Sequence, residues 1–317
     1  MSSVIDVRRL SRHGMPFVQR HTTYEVAVHP LHSRLYHLTL AQEPLRDFFA
    51  AVSHIDTQNL QYVPLMRFSL AKKFAELVGG RIASTMRSIV TDRNSGGFTV
   101  GVQGQTASAE EYVKFGTALA YMIGPANFDA MSGTYYARFV VKDTDTSDSY
   151  MRQAYRLFTL HTDGTFVEDA TDWLMMMKFA ERNAMGGETR LLHLDDWEEL
   201  HRFSTDPLAS YPFNYVSPPS KNISQTTRRP AFFLDRGHPC VCFIDQFVQP
   251  ETPQQAEYLQ ALSESMERSA GTSAIPLPVG DLIVLNNLFW LHGRAPFQKH
   301  PELHRELMRI RGSFGKA

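Results

Sequence analysis

Two short segments, separated by 131 positions (292 minus 161), constrain this chain more than any other feature. One reads Leu160-His161-Thr162-Asp163-Gly164-Thr165; the other reads Asn286-Asn287-Leu288-Phe289-Trp290-Leu291-His292-Gly293-Arg294. The first ends a strand-like run and turns at Gly164. Alternation on an extended backbone then puts residues 161 and 163 on one side. A second strand must deliver His292 to the same point. Two imidazoles and one carboxylate form the donor set that binds iron(II) on one face and leaves the opposite face open. A fold that meets this demand needs paired strands at its centre.

His-x-Asp alone is a weak signal, and it occurs three times. His54-Ile55-Asp56 closes a helical pattern. In His193-Leu194-Asp195 the aspartate reads as a helix start. Only His161-Thr162-Asp163 combines a strand end with an immediate glycine turn.

The rest of the chain agrees with a strand-rich centre. Residues 1–40 read as irregular, with short strand-like runs such as Tyr24 to Val28. Helical spacing follows over Glu43 to His54, Met66 to Leu77 (stopped by Gly79-Gly80) and Ser108 to Ile123. After about residue 132 come short runs that read as strands: Tyr135 to Val141, Arg156 to His161, Asp172 to Lys178 and Thr189 to Leu194. Asp195-Asp196-Trp197 is expected to cap a helix reaching about Arg202. Further strands are expected over Ala231 to Leu234, Val241 to Ile244, Asp281 to Leu285, Phe289 to Gly293 and Glu306 to Phe314, and a helix over Pro253 to Ser269. This texture predicts an α+β fold with a jelly-roll (double-stranded β-helix) core and flanking helices. It further predicts a single domain over 1–317, with a helical and irregular elaboration to about 125 and the core from about 126.

A formal net charge of -1 offers no basic footprint for nucleic acid. No uninterrupted apolar run is long enough for a transmembrane helix. The polar start, with Arg8, Arg9 and Arg12, lacks the apolar centre of a secretory signal, so a cytoplasmic location is the default expectation. Cys240 and Cys242 are the only cysteines. With no second pair to complete a metal site, they are expected to pack as small hydrophobes.

Beyond His292 the chain reads Arg305-Glu306-Leu307-Met308-Arg309-Ile310-Arg311. As a strand it puts Arg305, Arg309 and Arg311 on one face and Met308 and Ile310 on the other. Three guanidiniums on one face call for anions, and their planar forks suit carboxylates.

These residues resemble the iron(II)/2-oxoglutarate-dependent oxygenases, in particular the clavaminate synthase and taurine dioxygenase group. The pattern there is His-x-Asp, a distal His, then Arg-x-x-x-Arg, matched here by Arg305 and Arg309. The resemblance implies iron(II) on His161, Asp163 and His292, with 2-oxoglutarate and O2 as co-substrates. It implies that both arginines serve 2-oxoglutarate binding, the first, Arg305, on its distal carboxylate and the second, Arg309, near its 1-carboxylate or near an acidic substrate. The group's Gly-Gly-Asp/Asn-Thr strand start reads Gly186-Gly187-Glu188-Thr189 here, which implies Thr189 on the same distal carboxylate.

A closer likeness covers about residues 110 to 314. It rests on Asn127-Phe128-Asp129-Ala130-Met131-Ser132-Gly133, Tyr136 to Val141, Ser147-Asp148-Ser149-Tyr150, Pro218-Pro219-Ser220-Lys221-Asn222, Ile244 to Pro250 and Arg305 to Arg309. These segments are similar to the carbon-starvation-induced protein family, whose members are glutarate 2-hydroxylases. The resemblance implies hydroxylation of glutarate at C2 to L-2-hydroxyglutarate, with release of succinate and carbon dioxide, by a homotetramer. Arg309 and Arg311 are then the candidates for holding this small dicarboxylate, and Lys221 is a candidate loop contact. Two positions depart from the family pattern. Thr162 stands where Asn is expected, with no expected effect on iron. Ser313 stands where an aromatic is expected, with a possible effect on pocket shape. The same chemistry on another small carboxylate or an amino acid, and a dicarboxylate-binding protein without turnover, stay open as alternatives.

Overall fold

The structure is a computed structural model that describes residues 18–130, 132–144, 152–169, 171–217 and 225–315. Lys221 and most of the acidic loop beginning at Asp143 lie outside the described residues.

In chain order the elements are β1 (Val18–Arg20), β2 (Tyr24–His29), β3 (His32–Leu40), α1 (Gln42–Ala51), α2 (Thr57–Tyr62), α3 (Pro64–Val78), α4 (Ile82–Thr91), β4 (Gly97–Gly101) and α5 (Ala109–Ile123). Then come β5 (Tyr136–Lys142), β6 (Phe158–His161), β7 (Trp173–Arg182), β8 (Thr189–His193), α6 (Leu200–Ser204), β9 (Pro212–Val216), β10 (Thr226–Pro230), β11 (Phe232–Asp235) and β12 (His238–Val241). The last are β13 (Val248–Gln249), α7 (Pro253–Arg268), β14 (Ser273–Ile275), β15 (Asp281–Asn286), β16 (Trp290–Arg294) and β17 (His304–Gly312).

Two sheets position the site. The larger runs β1-β2-β3-β4-β15-β7-β17-β5, antiparallel except for the parallel β3–β4 pair. The smaller runs β14-β8-β16-β6. Alternation in the larger sheet sorts its side chains. Met175 and Met177 on β7, with Met308 and Ile310 on β17, join Phe48, Phe74, Met86 and Phe115 of the helical layer in one core. Each such fully buried side chain is worth roughly 1.5–3 kcal/mol. A Cβ added at Gly116 of α5 would collide with Met308, so glycine is what lets helix and strand approach. Met176, Arg305, Arg309 and Arg311 take the opposite face, toward the smaller sheet, and line a cavity there.

From Val18 to Leu40 the chain is regular rather than irregular. β1, β2 and β3 pair in sequence and extend the large sheet. Within β3, Tyr36, Leu38 and Leu40 are buried in alternation with half-buried His37 and exposed Thr39, and only Leu35, which joins the other core, interrupts the period of two.

Both decoy His-x-Asp pairs are structural. Asp56 caps α2, its Oδ1 accepting the Gln58 amide at 2.7 Å. Asp195 does not cap a helix running to Arg202. It lies in a 3-10 turn over Leu194–Asp196, and α6 starts later, from Glu199, with no side-chain cap. Asp195 and Asp196 instead accept from Arg93 and Arg34, each at 2.6 Å. Cys240 and Cys242 are buried free thiols, as expected.

Candidate active site

His161 and His292 are direct partners in the antiparallel β6–β16 ladder. Their ring centroids lie 4.2 Å apart. Asp163 follows on the turn after β6. One candidate ligand atom from each of His161, Asp163 and His292 lies within 4.8 Å of the others. The ladder becomes irregular immediately after His292. A Cβ at Gly293 would come within 3.1 Å of the Thr159 carbonyl and closer still to that of Phe158. The glycine of His-Gly-Arg is what permits this approach.

The turn is pinned from two sides. Asn287 accepts the Asp163 amide at 2.9 Å, and its own amide donates to the carbonyls of Asp163 (3.0 Å) and Thr171 (2.8 Å). The Thr162 amide donates to the Phe243 carbonyl, and its Oγ1 accepts the Phe243 amide at 3.0 Å. Thr162 thus anchors the turn to the neighbouring loop. Ser313, the other departure, is half-buried and outside the cavity lining; its carbonyl accepts from the Trp173 indole at 3.0 Å.

Protonation states suit a metal. His161 Nδ1 lies 2.7 Å from the Thr159 carbonyl, which can only accept, so Nδ1 carries the proton and Nε2 keeps its lone pair. Burial and then the neighbouring His161 push His292 down to about 3, so this imidazole is neutral. Burial also lowers His161. Burial alone would raise Asp163, but Arg309, His292 and His161 hold it well below the usual carboxylate range. His292 Nδ1 is buried without a hydrogen-bond partner among the described residues. The donor set therefore fits iron(II).

Beside the triad stands a cationic wall. Arg309 donates to both Asp163 oxygens at 3.1 and 3.2 Å and to Asp129 Oδ2 at 2.9 Å. Arg311 Nη2 lies 3.7 Å from the same Asp129 oxygen. Arg305 differs from both. It is 3% exposed, its Nε has no partner, and no ion pair reaches it among the described residues. Its guanidinium carbon lies 5.7 Å from the Phe297 ring centroid. Burial pushes Arg305 down to about 10, against the pull of Glu181 and Glu188, so it stays charged at neutral pH. Thr189 on β8 is buried in the same cavity lining, paired in register with Arg294 of β16.

The structure thus gathers His161, Asp163, His292, Thr189, Arg305, Arg309 and Arg311 around one cavity. It adds residues to which sequence reasoning gave no role: Asp129, Arg294, Asn287 and Gln246. Asp129 sat inside a segment that carried only family likeness, and nothing local marks it as an arginine partner 180 positions away.

A family model described as CsiD matches residues 24–314. The chain belongs to the CsiD family. Two relatives, each called glutarate 2-hydroxylase, come from Klebsiella pneumoniae (strain 342) and Salmonella newport (strain SL254). Each is 45% identical over 302 residues, covering 94% of this chain and 93% of the relative. Among solved structures, an asparagine oxygenase in complex with Fe(II), 2S,3S-3-hydroxyasparagine and succinate aligns with a TM-score of 0.70 at 16% identity, over 88% of this chain and 93% of that one. The non-heme iron oxygenase OrfP in complex with Fe and alpha-ketoglutaric acid aligns with a TM-score of 0.64 at 15% identity, over 87% and 94%. At such identities the likeness is one of fold.

Proposed function

We propose that this CsiD-family protein is an iron(II)- and 2-oxoglutarate-dependent oxygenase that hydroxylates glutarate at C2, giving L-2-hydroxyglutarate, succinate and carbon dioxide. The observation that carries the reading is Arg305: a buried guanidinium with no ion pair among the described residues, in the same cavity as a vicinal His-Asp-His set. A buried charge persists only where a partner completes it. In this reading the two sheets form a double-stranded β-helix, with the site between them.

His161, Asp163 and His292 would hold the iron. Iron(II) with 2-oxoglutarate and O2 would supply the oxidising power for C–H hydroxylation. Arg305 and Thr189 would take the distal carboxylate of 2-oxoglutarate, and Arg309 and Arg311 would face glutarate. Phe139, Val141, Phe166 and Leu307 line the same cavity and would pack the methylenes and keep water out. An amino-acid substrate fits less well, because its ammonium needs an acceptor. Among the described residues the carboxylates in the lining are Asp129 and Asp163, and Arg309 already occupies both. A cytoplasmic site of action and a homotetrameric state complete the proposal.

The test is turnover. Protein loaded anaerobically with iron(II) is given 2-oxoglutarate, O2 and a panel of acids. Glutarate-dependent succinate with stoichiometric 2-hydroxyglutarate is expected. Succinate that ignores glutarate, with no hydroxylated product, overturns the assignment, and a total lack of oxygen uptake with any acid favours a binding protein.

A further inference from the structure

Asp129 has no part in the roles above, yet its carboxylate is built into the wall of the same cavity. Its side chain is 4% exposed. Oδ2 lies 2.9 Å from Arg309 Nη2 and 3.7 Å from Arg311 Nη2. Oδ1 accepts the Ser132 amide at 3.2 Å, and the Asp129 backbone bridges to Thr134 across a tight turn. The acid is therefore fixed in place. Burial alone would raise its pKa, but Arg309 and Arg311 outweigh burial and keep it ionised.

Among the described residues the lining holds four guanidiniums, Arg294, Arg305, Arg309 and Arg311, and two carboxylates, Asp129 and Asp163. Glu181 and Glu188 act on Arg305, and Asp169 on Arg311, from outside that lining. The lining groups differ by two net positive charges. Iron(II) would add two more, and two bound dicarboxylates would bring four negative charges, so lining, iron and ligands together would sum to zero. Without Asp129 the cavity would hold one excess cation in a buried space where an unbalanced charge is costly.

We propose that Asp129 is a positioning and specificity-determining residue: it sets the cavity charge to match a dianionic substrate and anchors Arg309 through Nη2, leaving Nη1 toward Asp163. This rests on the dicarboxylate oxygenase reading above. Asp129→Asn keeps the shape and the oxygen that accepts from Ser132, and removes only the charge. The preference among acids should then move toward more negative ones, while a purely structural loss would weaken all acids together.

The experiment measures inhibition of glutarate turnover by glutarate monoamide (a monoanion) and propane-1,2,3-tricarboxylate (a trianion), at saturating iron(II) and 2-oxoglutarate. In Asp129→Asn the ratio of the monoamide's inhibition constant to the tricarboxylate's should rise about tenfold or more over wild type. An unchanged ratio overturns the inference. If the variant does not fold, the wild-type complex with manganese(II), 2-oxoglutarate and glutarate decides by its structure. Asp129 still on Arg309 supports the inference, and Asp129 displaced by a ligand carboxylate overturns it. A wild type with no glutarate turnover sinks the functional reading instead, so the two failures are distinct.

Discussion

Arg305→Met separates function from stability. Met keeps most of the apolar stem and removes the guanidinium. Burial lowers this group from its ordinary value to about 10, which corresponds to about 3 kcal/mol against folding when the site is empty. A base held below its unfolded value destabilises the fold at every pH under about 10, and the penalty fades only above that, toward the ordinary guanidinium value. At pH 7 the penalty is complete. Arg305→Met should therefore leave the ligand-free protein as stable as wild type or more so, seen as an equal or higher melting temperature. The same change removes the partner of a buried carboxylate. In the proposed complex that loss is worth about 3–5 kcal/mol, so the KM for 2-oxoglutarate should rise by roughly two to four orders of magnitude. The melting-temperature gain on adding 2-oxoglutarate with manganese(II) should vanish. A ligand-free variant several kcal/mol less stable than wild type, or one with its 2-oxoglutarate KM intact, would refute the view that Arg305 waits for an anion.

Three further outcomes are expected. His292→Ala should fold but bind manganese(II) too weakly to be seen by electron paramagnetic resonance titration, because it removes one of three donors. Asn287→Ala strips the partners from the Asp163 amide, the Asp163 carbonyl and the Thr171 carbonyl; it should cost about 1–3 kcal/mol in urea unfolding and weaken metal binding about 10–100-fold. His193 and His292 are each lowered to about 3, so both bind protons more readily when unfolded. Stability of the metal-free protein should therefore fall as pH drops from about 6.5 toward 3, by about 2 kcal/mol per residue at pH 5, and a flat stability profile between pH 7 and 5 would contradict buried neutral imidazoles.

The metal centre was legible in the chain because its constraint is local: two ligands two residues apart at a strand end, closed by a glycine. The arginine face of β17 was legible for the same reason, since alternation alone separates Arg309 and Arg311 from Met308 and Ile310. What escaped notice depends on long-range pairing. β3 takes its place in the large sheet only by pairing with β4, where the partner of Tyr36 is Phe98, 62 positions on (98 minus 36). Asp195 resembles a helix cap until Arg93 arrives from 102 positions away. Asp129 gains its role only when β17 lies beside β5 and the turn before β5 folds over it.

The direct pairing of His161 with His292 also makes the metal a reporter of folding. A slip of one residue between β6 and β16 would turn His292 to the far side of the sheet and replace it with Leu291 or Gly293, neither of which can bind an ion. A chain zipped out of step could still bury its apolar residues, but it could not capture iron. Metal uptake is thus a readout of strand alignment, and misaligned molecules in a preparation should be countable as the fraction that never titrates.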